Sequence, residues 1–237
     1  MSHLTTLDEK GFSQIFKAVG STPFRARRRN RWFAECANNI NAKRILEIGC
    51  GMGDAAAFVA ELTSAEVVAV DISDIFLDQA RTNHVRDNLS FEKFDLFKDD
   101  LSQLGKFDFI YGNGILHHLV LELGQFLIIL KKILNSEGGV AFIEPNFLNP
   151  YCAFIFGTQF GRRFAKLEPD EMAFTRGELL NYFTSSKWRD VSIDTRDFLI
   201  PGVPEALIKP ITFFEPAFEA TVATRWLAQS HFLTARV

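Results

Sequence analysis

Arg44-Ile-Leu-Glu-Ile-Gly-Cys-Gly-Met-Gly-Asp54 is the stretch that decides how the rest of this 237-residue chain is read. A short apolar run carrying one acid, Glu47, opens into glycines at alternate positions, Gly49, Gly51 and Gly53, and then into a helix-forming segment. Glycine lets the main chain turn sharply and lets a ligand come within contact distance of it. A helix starting there aims its free N–H groups at whatever lies over the loop. A dinucleotide loop needs its third glycine at position 54, where Asp stands, and a P-loop needs Gly-Lys-Ser/Thr, which is absent. Both departures speak against an NAD-type oxidoreductase or a nucleotide-phosphate cradle. An acid ahead of alternate glycines suits a ligand with a positive group near the loop.

Outward from this loop, helices and strands alternate. Ala55 to Leu62 reads as a helix, Glu66 to Val70 as a β-branched strand, Asp74 to Arg81 as a helix and Leu89 to Lys93 as a weaker strand. Phe107 to Tyr111 is another apolar run, Leu121 to Leu134 a strongly periodic helix, and Gly138-Gly139 introduce a strand at Val140 to Ile143. Short buried strands alternating with helices predict βαβ units and a doubly wound α/β fold with a parallel sheet. Past Glu144, Phe-rich segments run to about residue 168, followed by a helix from Arg176 to Thr184 and a strand from Trp188 to Thr195. Four prolines, Pro201, Pro204, Pro210 and Pro216, predict a broken helical insertion over 201–224, and Trp226 to Val237 is expected to add a final edge strand. Upstream, residues 12–40 read as helices. The expected organisation is one domain: a helical cap over 1–40, a core over 41–200 with a lid at 147–175, and an insertion plus last strand over 201–237.

Composition bounds the function. The formal charge of −3 argues against a surface built to grip nucleic acid. Three widely spaced cysteines suggest neither a disulfide framework nor a zinc cluster, so no metal is expected and a reducing cytoplasm is. Met1 to Ile15 is polar, without a signal-peptide apolar stretch, and no window is long enough to span a membrane. The odd figure is 25 Phe against 3 Tyr and 3 Trp. A Phe-packed core and a greasy binding cavity both account for it.

Two further acids follow strands. Asp71 closes Val67-Val-Ala-Val70, and Asp95 stands in Phe94-Asp-Leu96; then comes Phe107-Asp-Phe-Ile-Tyr-Gly-Asn-Gly-Ile-Leu-His-His-Leu119. Together with Glu47-x-Gly49-x-Gly51-x-Gly53, this chain resembles the class I S-adenosylmethionine (SAM)-dependent methyltransferases, in the small-molecule branch related to quinone-biosynthesis enzymes, over roughly residues 40–200. The resemblance implies a Rossmann-like, mostly parallel seven-stranded sheet with N-terminal helices and a Phe-rich lid. It implies SAM as cofactor, held by Glu47, Gly49, Gly51, Gly53, Asp71 on the ribose hydroxyls, Ile72 and Leu96 on the adenine faces, Asp95 on its amino group, and Asn113 on the methionine part. Asp71 as a helix cap and Asp95 as a turn residue are the competing assignments. Residues 113–116 read Asn-Gly-Ile-Leu and lack the Asn/Asp-Pro-Pro-aromatic signature of base and glutamine N-methylases, which speaks against those substrates.

His117 and His118 fall where the fourth strand meets its helix, and either is a candidate base for an acceptor hydroxyl, unless both are structural. Glu144, at the end of the fifth strand, is expected to point toward the cleft mouth, to orient substrate or to cap a turn; Asn146 and Tyr151 are weaker candidates. Phe147, Phe154, Phe156, Phe160 and Phe164, with Phe213, Phe214 and Phe218, are read as acceptor cover, lid packing or a membrane-facing patch. The Arg25, Arg27, Arg28, Arg29, Arg31 stretch is either a solvated helix face or a site for an anionic substrate, carrier protein or headgroup, with Arg27 or Arg31 the candidates for the SAM carboxylate. The expected activity is methyl transfer to a small, apolar or aromatic acceptor, O-methylation first, with C- or N-methylation and a non-catalytic SAM-binding module as alternatives.

Overall fold

The chain is described over residues 20–237 in a computed structural model. The expectations for Met1 to Ile15 and for a helix over 12–19 lie outside the described residues. Seven strands form one sheet: β1 (Arg44–Ile48), β2 (Glu66–Asp71), β3 (Leu89–Lys93), β4 (Phe107–Asn113), β5 (Leu134–Pro145), β6 (Arg189–Arg196) and β7 (Ser230–Arg236). Their order is β3-β2-β1-β4-β5-β7-β6, parallel from β3 to β5, with β7 antiparallel to both its neighbours.

Strand side chains alternate between faces, and here both faces are covered, which is why β1, β2 and β4 read as continuous apolar runs. Leu46, Val68, Val70 and Ile110 pack on one side against α4 (Leu123–Ile133) and α7 (Arg176–Ser185), through Leu123, Phe126, Leu127, Leu130 and Phe183. Ile45, Val67, Ala69 and Tyr111 face the other way. They meet α1 (Thr22–Asn39), α2 (Asp54–Leu62) and α3 (Asp74–Asn83) through Phe33, Ala37, Ala56, Val59 and Leu77. Strand order reverses between β1 and β4, which opens a crevice at their carboxyl ends.

Three expectations are corrected. The last strand, β7, lies inside the sheet, so the edges are β3 and β6. Gly138 and Gly139 lie within β5, which begins at Leu134, because the strand continues past a register shift against Phe107 and Phe109. Pro210 and Pro216 do not break the insertion: α8 (Glu205–Ala220) runs through both and is followed by α9 (Val222–Arg225). Between β5 and α7 lie two short helices, α5 (Pro150–Gly157) and α6 (Gln159–Ala165). Among the described residues no helix is long and apolar enough to cross a membrane.

Candidate active site

The glycine loop is bound to the strand beside it. Gly49 and Cys50 donate their N–H groups to the Val70 carbonyl at 2.9 and 3.1 Å, which folds the chain back over the β1–β2 edge. Gly51 has a φ of 52°, and a Cβ there would meet nothing within 4 Å, so its open side faces the crevice. Gly53, with a φ of 82°, is needed for a different reason: a Cβ would stand 2.6 Å from the Phe91 ring. Asp71 fixes the loop from β2. Its Oδ2 accepts from Gly51 N at 2.8 Å and its Oδ1 from Ser73 N at 2.9 Å. The cap of α3 is Ser73, whose Oγ accepts from Phe76 N, so Asp71 does not have that task.

Over the loop is a cavity of about 300 Å³, at the small end of the roughly 300–1,000 Å³ range of ligand sites. Gly49, Gly51, Asp71, Ile72, Asp95, Leu96 and Asn113 line it. Phe76 and Phe97 also line it, and neither was singled out in the sequence, where aromatic residues carry no local mark of facing a cavity. Two expected ligand contacts are not on its wall. Glu47 points to the opposite face, 3% exposed, where Tyr111 Oη donates to its Oε2 at 3.0 Å. Burial pushes its carboxyl up to about 8 and, with Glu47 alongside, raises the Tyr111 phenol well above its usual value. Gly53 is covered by Phe91. Both support the loop from beneath.

A second cavity, about 580 Å³, adjoins the first, and Asn113, Gly114 and His118 line both. Its remaining wall is non-local: Arg25 and Arg29 from α1, His117, Tyr151 and Phe156 from α5, and Gln229 with Ser230 ahead of and in β7. Arg25 and Arg29 share one carboxylate, since Asp197 Oδ2 accepts from Arg25 Nε and Nη2 at 3.2 and 3.0 Å and from Arg29 Nη2 at 3.0 Å. Arg29 Nη2 also reaches Ser230 Oγ at 2.5 Å, while Arg28 pairs with Glu215 at 2.5 Å. Burial, with Arg29 next to it, lowers Arg25 to about 10. The arginine stretch is therefore not a solvated face. Only Arg27 and Arg31, the two expected to meet a ligand carboxylate, are exposed, because helical spacing turns residues 25 and 29 inward together.

Glu144 does not point toward the cleft mouth. It is 1% exposed and committed to the 115–117 turn. Its Oε1 accepts from Ile115 N and Leu116 N at 3.0 and 2.7 Å, and its Oε2 from His117 N at 3.3 Å and from the His117 Nδ1 proton at 2.8 Å. It positions the histidines from behind. Asn146 is likewise structural, donating to the Trp226 and Ala228 carbonyls at 2.7 Å, whereas Tyr151 reaches the second cavity. His117 is buried, which lowers its basicity, and the neighbouring His118 lowers it further. The two rings lie 4.1 Å apart, and His118 Nδ1 is 3.5 Å from Glu171 Oε1. Glu171, 1% exposed, was not singled out in the sequence: its place depends on how the segment after α6 returns over the turn. Burial works to raise its carboxyl, but bonding to His118 outweighs this and holds it below the usual range.

Of the eight phenylalanines read as acceptor cover, lid packing or a membrane-facing patch, Phe156 and Phe164 line the second cavity; Phe147, Phe154, Phe160, Phe213, Phe214 and Phe218 are exposed and line neither cavity.

Residues 46–140 match the family profile described as "Methyltransferase domain". No curated protein matches the sequence. Among solved structures, the plantazolicin methyltransferase BpumL in complex with SAH is similar at a TM-score of 0.64 and 13% identity, over 98% of this chain and 91% of that one. An S-adenosylmethionine-dependent methyltransferase from Mesorhizobium loti is similar at 0.57 and 22%, over 82% and 90%. The methyltransferase domain of bacterial CtHen1-CN is similar at 0.60 and 15%, over 89% and 98%. At these identities the likeness is one of fold.

Proposed function

We propose that this chain, whose residues 46–140 match a methyltransferase-domain profile, works as a class I S-adenosylmethionine-dependent methyltransferase and methylates an oxygen of a small, largely apolar or aromatic acceptor held in the cavity beside the cofactor. The observation that carries this reading is the common wall: Asn113, Gly114 and His118 border both cavities, so a group presented from one side meets a molecule seated in the other. The first cavity suits SAM, with open space above Gly51 and a carboxylate at the end of β2. Gly49 and Gly51 would give main chain to the ligand, Asp71 its oxygens to the ribose hydroxyls, Asp95 an acceptor to the adenine amino group, Ile72 and Leu96 the flanking apolar surfaces, and Asn113 a contact to the methionine part. SAM supplies a methyl group already activated on a positive sulfur.

What remains for the chain is alignment and proton removal. Holding two reactants in line accounts for about 7–11 kcal/mol of a barrier of this kind. Phe156, Phe164 and Ile155 give the acceptor an apolar bed, and Arg25 with Arg29, two cations on one carboxylate, favour an acceptor that carries an acidic group. His118 at the common wall, with His117 beside it, stands next to the position of the acceptor hydroxyl. The test is calorimetry with S-adenosylhomocysteine (SAH), then methyl transfer from labelled SAM to a panel of phenols and hydroxy acids. Binding with label on oxygen is expected. Absence of binding overturns the cofactor assignment, and label on carbon or nitrogen overturns the acceptor atom.

A further inference from the structure

We propose that His117, His118 and Glu171 form a binding site for a divalent transition-metal ion of the zinc–cobalt class, at the boundary between the two cavities. One potential ligand atom from each residue lies within 4.8 Å of the others. With metal–ligand bonds near 2.1 Å, two ligands of one ion stand about 3.3–4.2 Å apart, so modest side-chain rotation closes the set.

Two features independent of that spacing point to a cation. Glu144 accepts the His117 Nδ1 proton at 2.8 Å, which leaves Nε2 with its lone pair; a carboxylate behind an imidazole is the usual support of a metal-binding histidine. Glu171 Oε2 is buried and has no hydrogen-bond partner among the described residues, a costly arrangement for a carboxylate oxygen that a cation would relieve. The segment carrying Glu171 is also fixed in advance. Arg162 donates to the carbonyls of Glu168, Pro169 and Glu171 at 2.5, 3.0 and 2.9 Å, Met172 N donates to the His117 carbonyl at 3.3 Å, and Glu168 N donates to Glu171 Oε1 at 3.0 Å. Two imidazoles with one carboxylate favour zinc, cobalt or iron over magnesium or calcium, and three protein ligands leave a position open.

His118 lines both cavities, so that open position is within reach of the acceptor. A hydroxyl bound there releases its proton to water. Its oxygen lone pair then forms the C–O bond as the S–CH₃ bond breaks, with that electron pair returning to sulfur. This part rests on the oxygen-methylation reading above; metal binding does not.

The experiment is titration of the chelator-treated full chain with Co²⁺, followed by its visible d–d absorption, with SAH calorimetry in parallel. Wild type is expected to bind one Co²⁺ per chain. Glu171→Gln and His118→Asn should each weaken binding by at least about tenfold, and Glu144→Gln by about 10–100-fold. SAH binding retained in Glu171→Gln shows that this variant is folded. Absence of d–d bands in wild type, or wild-type Co²⁺ affinity in both Glu171→Gln and His118→Asn, overturns the site. Methyl transfer that is undiminished after chelation overturns the metal's part in the reaction and leaves the binding site standing. SAH binding without Co²⁺ binding removes the metal alone; Co²⁺ binding without SAH binding removes the cofactor reading alone.

Discussion

The two cavities differ in how they are built. The smaller rests on the ends of β1, β2 and β4, and its loop is shaped by main-chain bonds between residues about twenty apart, from Gly49 N and Cys50 N to the Val70 carbonyl, with the Asp71 carboxylate holding Gly51 N beside them. The larger is enclosed by α1, α5, α6 and the approach to β7, and the Arg29–Ser230 bond joins positions 201 apart in the chain. A site made of backbone geometry tolerates few substitutions and leaves a local mark in sequence. A site made of side chains from appended helices leaves none and is free to vary with the acceptor.

The sharpest way to break this contrast is Asp71→Ala. Its carboxylate ties down the loop and, in our proposal, the ribose; losing two charge-assisted bonds worth about 1.5–3 kcal/mol each should weaken SAH binding by more than about 100-fold. Calorimetry showing less than a tenfold change would separate the loop from the ligand.

Glu47→Gln tests the support beneath. A carboxyl at about 8 in the fold and near its ordinary 4.5 when unfolded binds a proton only in the folded state between those values. Wild-type stability should therefore fall as pH rises through that window, by up to about 1.4 kcal/mol per unit, and level off above it. Gln imitates the protonated acid, so denaturant midpoints of the variant should lose about 2 kcal/mol of that decline between roughly pH 6 and 8. A parallel decline in both proteins removes Glu47 as its source.

On the acceptor side, Arg29→Gln should raise the KM for an acidic acceptor about tenfold, the loss of one charged hydrogen bond, with SAH affinity unchanged. If SAH affinity falls by as much, the two cavities are not independent. The smallest effect is expected for Phe213→Ser at a ring 78% exposed: stability within about 0.5 kcal/mol of wild type, and unchanged KM. A raised KM would restore Phe213 to the acceptor's cover.

The same contrast explains what was legible in sequence. Arg44–Ile48 and Leu89–Lys93 are legible to the residue, the first because a buried apolar run opening into glycines announces itself locally, the second as a weaker edge strand with only Phe91 buried. The glycine loop and the acids at the ends of β2 and β3 were legible for the same reason. Burial direction was not. Glu47 and Glu144 look like site acids beside glycine or at a strand end, yet both are buried against the scaffold, and only the packing of Tyr111 and the 115–117 turn reveals it. The arginine stretch was noticed, but which members turn inward depends on α1 docking against Asp197, 172 positions from Arg25. Glu171 had no motif at all. The Phe surplus left a packed core, a cavity lining and a membrane-facing patch open together, because an exposed Phe and a cavity Phe look alike in sequence.

The interior position of β7 has a consequence for how the polypeptide is made. Strand β6 has one neighbour in the sheet, β7, and β5 is bounded on that side by β7 as well. A ribosome delivers Arg189–Arg196 well before Ser230–Arg236, so in the interval the nascent protein presents two unmatched strands. The β5 border, with Val140, Phe142 and Ile143, is the stickier of them. Chaperone shielding during synthesis is thus most needed at that seam, and Ser230–Arg236 acts as the zipper that ends the exposure.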